Sequence, residues 1–105
     1  MPELRIARVS DFPEESARTV IASAAEEIAL AIVRTGGALY ALDNRCPHAG
    51  GPLGEGSIEN GVLRCPWHER RFDLRTGACV DHAHTRSVRC HPLRIDGLDV
   101  LVELP

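Results

Sequence analysis

Residues 40–56, YALDNRCPHAGGPLGEG, and residues 61–79, GVLRCPWHERRFDLRTGAC, hold two short knuckles, Cys46-Pro47-His48 and Cys65-Pro66-Trp67-His68, with sixteen residues between them. Each knuckle carries one thiol and one imidazole. Two such loops folded face to face present two thiolates and two imidazoles to one point, a donor set that can bind metal. Pro47 and Pro66 directly follow the cysteines, where they fix φ and remove a backbone donor, stiffening both loops where a metal needs geometry.

The division of the donors bears on which metal they suit. Structural zinc sites usually pair CxxC with a later HxxxH or a second CxxC, so each knuckle tends to be of one ligand type. Here both knuckles are mixed. A [2Fe-2S] centre with two thiolates on one iron and two imidazoles on the other suits mixed knuckles, while a structural zinc module is the competing reading of the same residues. The pattern CxH, sixteen residues, CxxH resembles that of the Rieske family, and the chain is similar to small soluble Rieske-type ferredoxins. The resemblance is strongest from about Tyr40 to Cys79 and continues more weakly to the C-terminus.

By that resemblance one [2Fe-2S] cluster is expected, with Cys46 and Cys65 on one iron and His48 and His68 on the other. Exchanging two thiolates for neutral imidazoles removes negative charge and raises the potential relative to an all-cysteine centre. High-potential members carry a further disulfide between the ligand loops, and a Ser and a Tyr whose hydroxyls donate to the cluster sulfurs. This chain has Ala49-Gly50-Gly51 and Trp67 in place of those cysteines, and Arg70 and Phe72 in place of the hydroxyls. A potential at the low end of the Rieske range, near about −150 mV, follows. Glu69 replaces a glycine common after the second histidine, and its charge is expected to oppose added charge on the cluster. Trp67 is expected to shield the cluster from water. Gly50, Gly51, Gly54 and Gly56 are expected to exclude regular structure and to let backbone N–H groups approach the cluster sulfides.

At 105 residues the chain should form a single domain, 1–105, with the cluster-binding part at about 44–80. Its apolar content is mostly Ala, Val, Leu and Ile, with Phe12, Tyr40, Trp67 and Phe72 the only aromatics, so the core should be aliphatic. No basic segment leading into an apolar run follows Met1, and the longest apolar run, Ile28 to Val33, is far short of the roughly 18 residues a membrane span needs. A cytoplasmic protein with reduced thiols and no membrane or nucleic-acid partner is expected. All twelve basic side chains are Arg. Eight of them lie between Arg45 and Arg94 against five acids, so this half is mildly basic while both flanks are acidic. A basic cluster face would speed encounter with an acidic partner surface more than it tightened binding.

Along the chain, alternation predicts strands at Leu4–Arg8 and Glu27–Arg34, the latter turned by Gly36-Gly37 into Ala38–Leu42. Residues 14–25 favour helix by propensity, and the strand expected at Arg18–Ala22 rests on the family resemblance. A hairpin at Ser57–Ile58 and Val62–Arg64 should deliver the second knuckle. Arg71–Leu74 should pair with Ala78–Val80 across Gly77, and Val88–Leu93 with Leu98–Leu104 around Asp96-Gly97. The fold class is thus all-β, a Rieske-like antiparallel sandwich or partly open barrel with a small cluster-binding loop subdomain. Cys79 and Cys90 read as buried, inert thiols. His82 and His84 read as a solvated loop, with a second metal site as the alternative, and His91 receives no role.

The resemblance implies a monomeric one-electron carrier with no catalytic residues and no substrate of its own. Its expected partners are an NAD(P)H-dependent flavoprotein reductase and a terminal aromatic-ring oxygenase. The competing assignment is a small Rieske-type subunit of an assimilatory nitrite reductase.

Overall fold

A computed structural model of the chain describes residues 3–23, 27–48, 50–67, 69–82 and 84–104. His68, one of the four expected ligands, lies outside the described residues.

Strand β3 (Glu27–Thr35) organises the rest because both of its faces are apolar. Leu30 and Ile32 point into one core and Ala31 and Val33 into another, and all four are fully buried. A continuous apolar run such as Ile28 to Val33 is what a strand buried on both sides requires. β2 (Ser16–Ser23) pairs with β3 along its full length, and β3 turns through Gly36-Gly37, both at positive φ, into β4 (Ala38–Asp43). Residues 16–23 therefore do not follow their helical propensity. β2 is longer than the expected Arg18–Ala22 because its register with β3 continues unbroken from Ser16 to Ser23.

Beneath one face of this sheet lies a second one, in which β1 (Glu3–Arg8) and β9 (Leu93–Asp96) flank β10 (Asp99–Glu103). Between the two sheets sit Phe12, Ala22, Leu30, Ile32, Ala41, Val100, Val102 and Leu104. On the other face the third sheet, β5 (Ser57–Glu59), β6 (Val62–Arg64) and β7 (Arg71–Asp73), encloses Leu53, Leu63, Phe72, Leu74 and Val88 together with Ala31, Val33 and Leu42. Cys46 and Cys65 belong to this second core. The three antiparallel sheets give the all-β class expected, and no α-helix occurs among the described residues. Nor is any helix there long and apolar enough to cross a membrane.

Three elements depart from the sequence reading. Val88–Leu93 is not one strand: β8 (Cys90–His91) joins β4, Pro92 has no N–H to continue a ladder, and β9 then joins β10. Ala78–Val80 pairs with the free edge of β7 as expected, but only as a short bridge, Phe72 to Cys79, flanked by bonds from Asp73 N–H to the Ala78 carbonyl and from Val80 N–H to the Arg71 carbonyl. Leu53–Glu55 forms a 3-10 turn where glycine spacing had argued against regular structure. It is held by the Glu55 and Gly56 N–H groups donating to the carbonyls of Pro52 and Leu53.

His91, given no role from sequence, is buried and its Nε2 lies 2.6 Å from Asp43 Oδ1, joining β8 to the end of β4 just before the first knuckle. Replacing His91 with Leu is expected to cost about 1–3 kcal/mol, the usual range for losing such a bond. Urea denaturation of the apoprotein measures it, and an unchanged midpoint would show that the contact contributes nothing.

Candidate metal centre

Each knuckle is a loop closed at its neck by strand-like pairing. The first leaves β4 and is pinched by the Arg45–Pro52 bridge; the second joins β6 to β7, with Arg64 opposite Arg71. Inside each neck the cysteine N–H donates to the carbonyl five residues on, Cys46 to Gly51 at 2.9 Å and Cys65 to Arg70 at 2.8 Å. The two loops are therefore matched in backbone geometry as well as in sequence.

Asn44, which sequence reasoning passed over, clamps the first loop. Its carbonyl accepts from Leu53 N–H at 2.7 Å, and its side-chain oxygen accepts from Gly54 N–H at 2.7 Å and from Thr19 Oγ1 at 3.0 Å. Asparagine directly before a turn was the available signal, since it is the residue whose side chain bonds nearby backbone most readily.

The glycines of the first loop serve packing more than donation. Gly50 N–H bonds to the Cys46 carbonyl, Gly54 N–H to Asn44 and Gly56 N–H to Leu53, so these three donors are spent within the loop and do not serve sulfides. Gly51 has a different task. A Cβ there would lie 2.9 Å from Cys65 Sγ and 3.0 Å from Trp67 Cγ, so only glycine lets the two loops close on each other.

The Cys46 and Cys65 thiols meet at this junction. Both are buried and free, both lie in one core cluster, and Cys46 is near enough to perturb the Cys65 thiol. Burial pushes the Cys65 thiol up to about 11, the neighbouring Cys46 pushes it in the same direction, and the Trp67 backbone N–H opposes both. Two buried thiols side by side, without a disulfide, form a pair that a thiophilic metal ion can bridge once it displaces their protons. His48 is exposed and lines a cavity of about 530 Å³ with Pro47, Arg70, His82, His84, Thr85 and Arg86. The structure thus brings Cys46 and Cys65 together and leaves His48 exposed at the tip of the first loop, while His68 lies outside the described residues. Donor type, burial and absence of a competing disulfide all fit an iron–sulfur centre.

Several neighbours behave differently from expectation. Trp67 is 51% exposed, so it covers Gly51 with the base of its ring and leaves the remainder open to solvent. Glu69 has φ 57°, the left-handed conformation that explains why glycine suits this position, and its carboxylate lies 2.6 Å from Arg64. That ion pair offsets the charge expected to oppose the cluster. Phe72 is fully buried and Arg70 donates to Thr85 Oγ1, so neither supplies a hydroxyl. Cys79 and Cys90 are partly buried rather than buried, and both are free. Of the basic half, Arg64, Arg71 and Arg94 are paired with Glu59, Glu69 or Glu3. Arg45, Arg75, Arg86 and Arg89 are exposed and form no ion pair among the described residues.

An all-β scaffold that brings two cysteine loops to a shared, buried thiol pair defines a class, the small metal-centre proteins. Within it, residues 3–92 match the Rieske [2Fe-2S] domain, and the chain belongs to that family. The naphthalene 1,2-dioxygenase system ferredoxin component of Pseudomonas putida is 33% identical over 75 residues, 71% of this chain and 72% of that one. Among solved structures, the ferredoxin of carbazole 1,9a-dioxygenase from Nocardioides aromaticivorans IC177 superposes with a TM-score of 0.85 at 28% identity, covering 97% of both chains. A complex of reduced oxygenase and oxidised ferredoxin in carbazole 1,9a-dioxygenase matches with a TM-score of 0.83 at 25% identity over 95% of this chain and 91% of that one. A nitrite reductase small subunit from Mycobacterium tuberculosis, at 19% identity, shares the fold. Membership implies one Rieske-type [2Fe-2S] cluster. The curated relatives at 31–33% identity are ferredoxin components, not catalytic subunits.

Proposed function

We propose that the protein is the one-electron carrier of a multicomponent aromatic-ring oxygenase system, with Cys46 and Cys65 as the thiolate ligands and His48 and His68 as the imidazole ligands of its cluster. The observation that carries this reading is the buried, disulfide-free juxtaposition of Cys46 and Cys65 at the tips of two matched loops. When bound, the cluster accepts and releases a single electron. The chain's own residues hold it. The neck bonds fix where each cysteine projects, Gly51 lets the loops close, and the apolar core behind the thiols keeps water from that side. The role of His68 rests on its spacing in the second knuckle.

The cluster-binding part, about 44–80, forms the end of one domain and offers the His48 side to a partner. Arg70 and Arg86 line the same cavity as His48, and this favours docking on an acidic surface. The oxygenase–ferredoxin complex in the carbazole system supports a terminal oxygenase as one partner. An NAD(P)H-dependent flavoprotein reductase on the donor side, a monomeric state and a cytoplasmic location complete the reading.

Electron paramagnetic resonance before and after dithionite, with iron and zinc analysis of the same sample, tests it. A signal that appears only on reduction, with the low average g value of a histidine-ligated [2Fe-2S] centre, is expected. A colourless, silent sample with one zinc per chain would remove the electron-transfer function.

A further inference from the structure

Cys79, Asp81 and His82 each place a ligand-type atom within 4.8 Å of the other two, on a stretch that shares no residue with the two knuckles. Cys79 Sγ donates to Asp81 Oδ1 at 3.3 Å, and His82 Nδ1 lies 3.1 Å from the same oxygen. The Arg71 backbone N–H donates to that oxygen at 3.2 Å and anchors the group to β7. The anchor is reinforced by Val80 N–H bonding to the Arg71 carbonyl at 2.9 Å and by the Phe72–Cys79 bridge.

Thiol, carboxylate and imidazole are the three ligand types that zinc accepts, and bonds of about 2.0–2.3 Å set tetrahedral ligand-to-ligand edges of about 3.3–3.8 Å. Two edges of the triangle, 3.3 and 3.1 Å, already lie within a few tenths of those lengths. Cys79 is partly buried against the core while Asp81 and His82 are exposed, so an ion has an entry path and its fourth position faces solvent. The HxH pair noted in the sequence contributes His82 alone to this group; its other members are Cys79 and Asp81.

We propose that Cys79, Asp81 and His82 form a second, zinc-type cation site beside the cavity that His48 lines. Binding replaces the Cys79 S–H bond with a sulfur–zinc bond and releases that proton to solvent, with no change of oxidation state. The Arg71 N–H stays on Asp81 and holds the carboxylate in place. The site stands independently of the electron-transfer reading.

Zinc titration of the purified, cluster-loaded protein, by equilibrium dialysis with metal analysis, tests the proposal. One zinc per chain is expected without loss of iron. X-ray absorption at the zinc edge should show one sulfur neighbour at about 2.3 Å and nitrogen or oxygen neighbours at about 2.0–2.1 Å. Cys79→Ser should remove the sulfur neighbour, and His82→Ala should weaken binding by more than the roughly 10–100-fold cost of losing an outer-shell partner. His82 is exposed, so this variant keeps the test decisive should Cys79→Ser fold poorly. No zinc uptake, uptake matched by iron loss, or equal uptake by His82→Ala would each overturn the assignment.

Discussion

Cys65→Ser is expected to yield a colourless protein with iron near zero, and Cys46→Ser to do the same. Both thiols are buried in the core between β3 and the β5–β6–β7 sheet, close enough that Cys46 raises the Cys65 thiol. A serine hydroxyl is a harder and far less acidic donor than a thiol, and a soft thiolate is what an iron–sulfur centre takes. The substitution also leaves a buried hydroxyl in an apolar pocket at a cost of about 1–3 kcal/mol, and it forfeits the folding energy that metal binding supplies. Cys90→Ser is the control. Cys90 packs against Gly77 and lies in neither knuckle, so iron content and the visible spectrum should be those of the unaltered protein. Full iron retention in Cys65→Ser would mean that the paired thiols do not hold the cluster.

Gly77→Ala should be far more destabilising than Gly61→Ala. Gly77 has φ 78°, which strains any L side chain, and a Cβ would overlap the Val88 carbonyl oxygen. The backbone cannot move aside easily. Gly77 N–H donates to Asp73 at 2.7 Å and its carbonyl accepts from Val88 N–H at 2.8 Å. Left-handed strain of about 1–2 kcal/mol and overpacking of about 1–3 kcal/mol together give about 3 kcal/mol. For a domain of this size that corresponds to roughly 12–24 °C in Tm. Gly61→Ala separates the two contributions. Gly61 has φ 79° but open space around its Cβ position, so it should lose only the strain component, about 1–2 kcal/mol. Equal losses at the two positions, measured by thermal melts of the same preparation, would refute the packing argument.

The expectations that came from local chemistry held where the chemistry is local. The Gly36-Gly37 and Asn60-Gly61 turns carry positive φ at both central residues, and the strands they join are the ones expected on either side of them. The expectations that failed concerned competition for the same groups. Donors on Gly50, Gly54 and Gly56 were open to cluster sulfides in sequence, but the fold supplies nearer acceptors. The charge on Glu69 could be counted in sequence, but its neutralisation depends on Arg64 five residues earlier, brought within 2.6 Å by the closing of the β6–β7 loop.

The sequence by itself determined the candidate donors, because CxH and CxxH carry two thiols and two imidazoles whatever surrounds them. It also indicated the all-β class, through alternation at Glu27–Arg34, glycine turns and, at Arg18–Ala22, the family resemblance. Tertiary structure decided what those residues could not reveal singly. Both faces of β3 are apolar because it separates two cores. His91 braces the base of the first knuckle from forty-eight residues away. Cys79 and Asp81 meet His82 because β7 holds their loop by its backbone. Each of these depends on which strand lies beside which, and that order follows from burying apolar surface over the whole chain rather than from any local stretch.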